Sequence, residues 1–187
     1  MEDAPPPKHH AVLARLCDEL RGDNPGRNFG RLLRVAEIGV ASGNLSESLL
    51  RIPFVSLVMV DHWIPRRPER DANAAMIQAK ERTQFAAEDG RREIIVASSC
   101  RAATIFPPQW FDLVFIDACH KYESVREDIA AWVSKVRPGG ILCGHDYFSP
   151  RNEKGQWGVK RAVDEWAAES GIAVEFAETV WLARMPG

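Results

Sequence analysis

The chain alternates short apolar runs with longer stretches in which apolar residues recur at helical spacing. Short runs rich in Val, Ile, Leu and Phe, bounded by polar or glycine-containing segments, predict strands, whereas apolar residues three and four positions apart predict helices. The predicted strands cover residues 34–38, 56–60, 93–97, 113–116, 141–143, 173–177 and 179–184. The predicted helices cover residues 10–21, 44–51, 72–88, 102–106 and 122–135, with a last one from 156 or 157 to 170.

The order of these elements predicts the fold class. Strands that alternate with helices are typical of α/β proteins, in which a parallel sheet carries helices on both faces. The last two strands are joined tightly around Glu178 and predict an antiparallel hairpin. We therefore predict a doubly wound, mostly parallel sheet with an antiparallel C-terminal hairpin, in one domain spanning residues 10–187. Residues 1–9 are polar and proline-rich and predict a disordered tail, which includes His9.

The charge balance and the apolar pattern exclude several classes of partner. The chain has 24 Lys and Arg against 26 Asp and Glu, a net charge of −2, so we expect no nucleic-acid partner. No apolar run approaches the ~20 residues of a membrane span. The first residues are unlike a signal peptide, so we expect a cytoplasmic protein without membrane contact. The cysteines lack metal-ligand spacing and predict buried free thiols: Cys17, Cys100, Cys119 and Cys143.

A glycine turn follows the first predicted strand, in the run Val35-Ala-Glu-Ile-Gly-Val-Ala-Ser-Gly43, and Asp61 ends the second strand. Glycines allow the backbone to approach a ligand, and an acid at the second strand accepts ribose hydroxyls. A dinucleotide site would carry a glycine where Glu37 stands. A carboxylate repels a pyrophosphate but attracts an ammonium group. The pattern therefore predicts a nucleoside that carries a cationic amino acid, which describes S-adenosylmethionine, and disfavours a nicotinamide cofactor.

This segment resembles motif I of the class I S-adenosylmethionine-dependent methyltransferases. The runs Phe115-Ile-Asp-Ala-Cys-His-Lys-Tyr-Glu-Ser-Val-Arg-Glu-Asp128 and Pro138-Gly-Gly-Ile-Leu-Cys-Gly-His-Asp-Tyr147 resemble a small single-domain branch, in which Asp-x-x-His-x-Tyr-Glu and Gly-His-Asp-Tyr follow successive strands. Its members include O-methyltransferases that act on sugars and other natural-product scaffolds. The resemblance covers residues 33–184. It implies a seven-stranded Rossmann-like sheet and methyl transfer to a small-molecule acceptor, with a hydroxyl as the acceptor group.

The cofactor would be held by residues that follow the first three strands. Glu37 is expected to receive the methionine ammonium, directly or through water, and Asp61 to accept both ribose hydroxyls. The resemblance implies that His62 lies against the adenine face and that Ser98 or Ser99 approaches the adenine edge, where the family commonly has an acid or amide. The candidate cofactor residues are Glu37, Gly39, Ser42, Gly43, Asp61, His62, Ser98 and Ser99.

Two acids and two histidines, Asp117, His120, His145 and Asp146, follow the fourth and fifth strands. Ligands bind outside the carboxyl ends of parallel strands, so the strand order implied by the resemblance brings these side chains together. In one mechanism, His120 or His145 is the general base, beside Asp117. In the other, which is compatible with the first, Asp117, His145 and Asp146 hold Mg²⁺ or another divalent cation. An imidazole ligand suits Mn²⁺, Fe²⁺ or Zn²⁺ better than Mg²⁺.

Two alternatives to O-methylation stay open, namely N-methylation and binding of S-adenosylmethionine without catalysis. The acid–histidine pattern argues against the second, because a binding protein needs none of these residues. The polar loop 148–157, with Arg151, Lys154 and Trp157, is a candidate lid over the acceptor. Other candidate lids are the N-terminal helix, the arginine- and proline-rich connection over residues 64–70 and a second subunit of a homodimer.

Overall fold

The computed structural model describes residues 8–22, 31–64 and 72–187. Its strands are β1 Leu33–Ile38, β2 Val55–Asp61, β3 Arg92–Val96, β4 Phe111–Ile116, β5 Val136–Gly144, β6 Val174–Ala177 and β7 Val180–Arg184. Its helices are α1 Lys8–Gly22, α2 Asn44–Leu50, α3 Ala72–Arg82, α4 Gln84–Glu88, α5 Ser99–Ala103, α6 Tyr122–Val133, α7 Pro150–Glu153 and α8 Val159–Ser170. Within the described ranges, no helix is both long and apolar enough to cross a membrane.

The strands form one seven-stranded sheet in the order β3-β2-β1-β4-β5-β7-β6. The first five strands pair in parallel, and β7 runs antiparallel to both β5 and β6. The predicted fold class is therefore confirmed, including the C-terminal hairpin. The strand order reverses direction between β1 and β4, and such a reversal opens a crevice at the carboxyl ends of the parallel strands.

Helices cover both faces of the sheet. One face packs against α1 to α4 and the other against α5, α6 and α8. Successive residues of a strand point to opposite faces, and β4 shows the consequence, because Phe115 joins the first core and Val114 the second. Both residues are fully buried. The central strands therefore carry continuous apolar runs rather than an alternating pattern, as expected for parallel strands buried on both sides.

Two predicted helices differ from those observed. The helix expected over residues 72–88 is broken at Thr83, whose φ of −105° and ψ of 10° leave the helical region. Its hydroxyl donates to the carbonyl of Ala79 at 2.6 Å, a local bond that competes with the helical ladder. The short helix expected over residues 102–106 begins earlier, at Ser99, because the extended backbone of Ser98 places its carbonyl to accept from Ala102.

Three further differences concern segments next to the site. Helix α1 begins at Lys8, so the last two residues of the predicted disordered tail are helical, and residues 1–7 lie outside the described ranges. Strand β5 begins at Val136, five residues before the strand predicted over 141–143, and shows a register shift against β4. The candidate lid 148–157 contains the short helix α7, which Ser149 caps by accepting a hydrogen bond from the Arg151 amide. Of the candidate lid over 64–70, residues 65–70 lie outside the described ranges.

The four cysteines, all within the described ranges, form no disulfide and differ in burial. Cys17 on α1 and Cys143 on β5 are buried, as predicted. Cys100 is exposed and Cys119 is half-buried, so the prediction of buried thiols is wrong for Cys100. Both lie just beyond strand ends, where the chain turns toward the crevice rather than into the core.

Candidate active site

A cavity of about 950 Å³ opens at the carboxyl ends of the parallel strands. Its lining comes from the segments that follow β1, β2, β3 and β4, and from α1. The structure brings most of the predicted site residues into this one cavity: Glu37, Gly39, Ser42, Asp61, His62, Ser98, Ser99 and Asp117.

The turn after β1, residues 39–43, requires glycine at two positions. Gly39 has a φ of +96°, and a Cβ there would lie 2.2 Å from the carbonyl oxygen of Asp117. Gly43 has a φ of +77°, and its Cβ would lie 2.8 Å from the Cα of Ala79 on α3. A side chain would therefore push the turn away from β4 on one side and from α3 on the other.

Glu37 lies near the end of β1 at the bottom of the cavity, with 2% of its surface exposed. Its carboxylate accepts a hydrogen bond from the Ser46 hydroxyl at 2.5 Å. Burial raises the pKa of Glu37 to about 8, against the lowering effect of Ser46, and the charges of Asp117 and Asp61 raise it further. The carboxyl group is therefore mostly neutral at pH 7, and a cationic ligand in the cavity would favour its ionised form.

The Asp61 carboxylate binds the protein backbone rather than open solvent. One oxygen accepts from the amides of Val40 and Ala41, both at 3.0 Å, and the other accepts from the amide of Trp63 at 2.8 Å. A carboxylate offers about four acceptor positions, so three are already used. The structure leaves room for one further hydrogen bond, whereas the sequence predicted that Asp61 accepts two ribose hydroxyls.

The side chains of three further predicted cofactor residues, His62, Ser99 and Ser42, have partners within the protein. His62 accepts at Nδ1 from the amide of Ile64 at 2.8 Å. The Ser99 hydroxyl accepts a hydrogen bond from the indole of Trp132 on α6 at 2.9 Å, so this bond connects α5 to α6. Ser98 precedes α5, and its hydroxyl forms no helix-capping bond. Ser42 lines the cavity, and its hydroxyl accepts a hydrogen bond from the side-chain amide of Asn44 at 3.1 Å.

The acid–histidine cluster, which we define as Asp117, His120, His145 and Asp146, forms beyond β4 and β5. His120 Nε2 lies 3.3 Å from Asp117 Oδ1 and 3.1 Å from Asp146 Oδ2. His145 Nδ1 lies 3.3 Å from Asp146 Oδ1 and 4.0 Å from Asp117 Oδ2, while its Nε2 lies 2.9 Å from the Thr179 hydroxyl. Of the four, Asp117 lines the cavity and joins the cluster to it.

Charge pairing sets the protonation of this cluster. Burial lowers the pKa of His120, but hydrogen bonds to Asp117 and Asp146 outweigh burial and raise the pKa to about 9. The same balance, with Asp146 as the main partner, raises the pKa of His145. Burial acts to raise the pKa of Asp146, but the two imidazoles hold it well below its usual range. In the ligand-free protein Asp146 is therefore ionised, His120 is protonated at pH 7, and His145 holds its proton more firmly than a free imidazole does.

The ligand geometry favours a different histidine from the one predicted for a metal site. Ligand atoms of Asp117, His120 and Asp146 all lie within 4.8 Å of one another, whereas the sequence predicted His145 as the imidazole ligand. His145 is close to both acids but is oriented by Thr179. Two carboxylates and one imidazole are a donor set that suits a divalent cation.

The segment 148–157 packs directly against the cluster. The Trp157 ring stacks on the His120 ring, with centroids 4.1 Å apart and planes 21° apart. The amide of Gly158 donates to the His120 carbonyl at 2.8 Å. The Asn152 side chain donates to the carbonyl of Asp146, a residue with a φ of +64°. The candidate lid thus contacts the His120 ring and fixes the backbone of Asp146, and Gly158, which follows the lid, fixes the backbone of His120.

His9 is a site residue that the sequence analysis missed. It lines the cavity from α1, and its ring centroid lies 4.5 Å from that of His145. Burial and the neighbouring His145 and His10 lower the pKa of His9 to about 4, so this imidazole is neutral. His10 is buried, and its Nδ1 lies 2.8 Å from the Ser48 hydroxyl on α2. The helical period was the available signal, because His9 shares a face with Leu13 and Leu16.

Comparison with known proteins identifies the family. Residues 36–147 match the family model of the methyltransferase domain, more than half of the chain. The chain therefore belongs to the methyltransferase domain family, and it is a class I S-adenosylmethionine-dependent methyltransferase, as the resemblance predicted. No curated protein matches it in sequence.

Solved structures share the fold at low sequence identity. Cofactor-bound Rv0187 from MTB is 18% identical with a TM-score of 0.71, over 99% of this chain and 83% of that one. The O-methyltransferase from Bacillus cereus in complex with SAH is 16% identical with a TM-score of 0.65, over 98% and 84%. The N-methyltransferase NodS from Bradyrhizobium japonicum is 19% identical with a TM-score of 0.63, over 96% and 95%. These similarities establish the fold.

Proposed function

We propose that the protein transfers the methyl group of S-adenosylmethionine to a hydroxyl of a small-molecule acceptor, and that the acid–histidine cluster binds this hydroxyl. The observation that carries the proposal is the position of Asp117. It lines the cavity beside the turn after β1, and it contacts His120 on its other side. A group bound at Asp117 is therefore next to the cofactor turn and within reach of an imidazole.

The cofactor contacts follow from the cavity lining. The Glu37 carboxyl at the bottom of the cavity suits the methionine ammonium. Burial disfavours the ionised carboxylate, and a bound cation would stabilise it. The free acceptor position of Asp61 suits one ribose hydroxyl. His62, Ser42 and Ser98 face the same cavity and complete the cofactor side.

The chemical step is an in-line displacement. The acceptor oxygen forms a bond to the methyl carbon as the carbon–sulfur bond breaks, and the electron pair of that bond stays on sulfur, which yields S-adenosylhomocysteine. The hydroxyl proton passes to His120 or His145. Both imidazoles favour the protonated form while they pair with the acids, so occupation of the acid pair by the acceptor or a cation must come first.

A divalent cation fits the cluster. Asp117, His120 and Asp146 would hold it, and Mn²⁺ or Fe²⁺ suits this mixed oxygen and nitrogen set better than Mg²⁺ does. Such an ion, when bound, supplies a positive charge that stabilises the acceptor oxygen as an anion. His145 then stays outside the ligand set and is the imidazole free to take the proton.

The test is methyl transfer from isotope-labelled S-adenosylmethionine to three probes, catechol, rhamnose and benzylamine, followed by mass spectrometry. We expect products in which a hydroxyl oxygen carries the labelled methyl group. Asp117→Asn should form no such product, although it still binds S-adenosylhomocysteine. Asp89→Asn, at an exposed acid that pairs with Arg91, is the matched control and should keep activity. Methylation of benzylamine alone would overturn the hydroxyl acceptor. Cofactor binding with no transfer to any probe would favour a binding protein.

The metal requirement has its own test. Chelator-treated protein is assayed alone and after addition of Mg²⁺ or Mn²⁺, and Mn²⁺ binding is followed by electron paramagnetic resonance. We expect Mn²⁺ to bind the unmodified protein and not Asp146→Asn. Full activity in the chelator, with no Mn²⁺ binding, would reject the cation and leave the two imidazoles as the only charge partners of the acid pair among the described residues.

A further inference from the structure

Trp63 lies two residues beyond β2 and makes two hydrogen bonds around the turn after β1. Its ring is 8% exposed and packs in the core beneath α1 to α4. The indole Nε1–H donates to the carbonyl of Ala41 at 2.8 Å. The backbone amide of Trp63 donates to Asp61 Oδ1, also at 2.8 Å. Trp63 therefore connects the end of β2 to the turn that lines the cofactor cavity.

Both residues joined by the indole hydrogen bond, Trp63 and Ala41, have backbones in the left-handed region. Ala41 has a φ of +51° and Trp63 a φ of +43°, values that residues with a Cβ adopt at a cost. The Ala41 amide donates to Asp61 Oδ2 at 3.0 Å, and its carbonyl accepts from the indole. The peptide groups on both sides of Ala41 are thus fixed by side chains from the end of β2, which offsets the unfavourable backbone conformation.

We propose that Trp63 is a positioning residue that holds Ala41, and with it the turn after β1, in the conformation that receives S-adenosylmethionine. This inference rests on the cofactor site of the proposed function. Trp63 acts through the Ala41 carbonyl, and the cofactor therefore meets a turn that is already ordered. An ordered turn binds more tightly than a mobile one, because less conformational entropy is lost on binding.

The experiment is a calorimetric titration of S-adenosylhomocysteine into the unmodified protein and Trp63→Phe. Phenylalanine keeps an aromatic ring but removes the N–H donor. We expect the Kd to rise about fivefold to tenfold, as for the loss of one ordering hydrogen bond. Trp110→Phe is the matched control, because Trp110 contacts Arg34 near the amino ends of β1 and β4, away from the cavity. The Kd of this variant should be unchanged.

A rescue variant separates positioning from general loosening. Ala41→Gly is added to Trp63→Phe, because glycine adopts a positive φ without a Cβ and needs less restraint. We expect the double variant to regain most of the lost affinity. An equal Kd for the unmodified protein and Trp63→Phe overturns the inference, and so does a loss that Ala41→Gly does not reduce. Absence of binding to the unmodified protein would instead overturn the cofactor site, and the inference with it.

A measurement on the unmodified protein covers the case in which Trp63→Phe does not fold. The indole N–H of Trp63 is followed by NMR during exchange into deuterated water, with and without S-adenosylhomocysteine. We expect slow exchange that slows further with the ligand, because the bond to Ala41 protects the proton. Rapid exchange that the ligand leaves unchanged would overturn the inference.

Discussion

Glu37 is expected to link cofactor binding to the release of a proton. Its carboxyl is fully buried, and its pKa of about 8 keeps it largely protonated at pH 7. At that pH about 0.9 of the molecules carry the proton, from a pKa one unit above the pH. A bound ammonium group favours the carboxylate, so the proton leaves as the ligand enters. Affinity should therefore rise with pH by up to about tenfold per unit below pH 8, and level off above it.

Calorimetry measures this proton directly. S-adenosylhomocysteine is titrated at pH 7 in phosphate and in Tris, two buffers that differ in enthalpy of ionisation. The difference in observed heat gives the number of protons released, and we expect close to one. Glu37→Gln is the matched variant, because the amide keeps the size and an acceptor for the Ser46 hydroxyl but does not titrate. It should release no proton from this site and bind more weakly.

The same titrations can contradict the release of a proton from Glu37. Equal heats in the two buffers for the unmodified protein would mean that Glu37 has the same charge with and without the ligand. Equal proton release from Glu37→Gln would assign the proton to the ligand or to another group. Either result would refute the release of a proton from Glu37 when the ligand binds.

Three further variants test the structure. Gly39→Ala should weaken S-adenosylhomocysteine binding more than about tenfold, because the new methyl group would clash with the backbone carbonyl of Asp117 at a positive φ. Gly90→Ala, also at a positive φ but with no atom near the new methyl group, should leave the affinity unchanged. Equal calorimetric affinities of the two variants would contradict the tight contact at Gly39. Asp112→Asn should lower the free energy of unfolding in urea by roughly 1.5–3 kcal/mol, because it removes the charge of a fully buried carboxylate that pairs with the partly exposed Arg31 and Arg137, without changing cofactor affinity in the folded protein; an unchanged urea midpoint would contradict this. His120 should titrate near pH 9 by NMR, and Asp146→Asn should lower that value; a midpoint near 6.5 in the unmodified protein would refute the charge pairing.

The sheet could be predicted from the sequence because buried parallel strands are short apolar runs, and those runs stand out between polar segments. The start of β5 could not. Pro138, Gly139 and Gly140 are typical of a turn, yet the chain pairs there through contacts made by distant residues. The Gly139 amide donates to the carbonyl of Met185, and Val136 pairs with Phe111. Such tertiary pairing overrides local preference and leaves no trace in the local pattern.

The sequence could predict the site residues that come directly after a strand and carry an acidic or imidazole side chain. Asp117 and Asp146 could be placed in this way, since the carboxyl ends of neighbouring parallel strands meet at one edge. Two of the three amides that Asp61 binds, those of Val40 and Ala41, could not be predicted, because they belong to a separate turn. His9 could not be placed either, because its contact with the cluster depends on how α1 packs across the sheet.

The close contact between Gly39 and Asp117 bears on how such an enzyme can diversify. The β1 and β4 strands pair directly, and the Asp117 amide donates to the carbonyl of Ile38 at 2.8 Å. The spacing between the cofactor turn and the first acid of the cluster is therefore set by main chain alone. Among the described residues outside the sheet, α1 and the segment 148–157 place aromatic rings against the cluster, beside the Thr179 hydroxyl of the turn between β6 and β7. Under the proposed function, exchange of those two segments by evolution or by a protein engineer would change which acceptors fit, while the pairing of β1 with β4 keeps Asp117 at a constant distance from the turn.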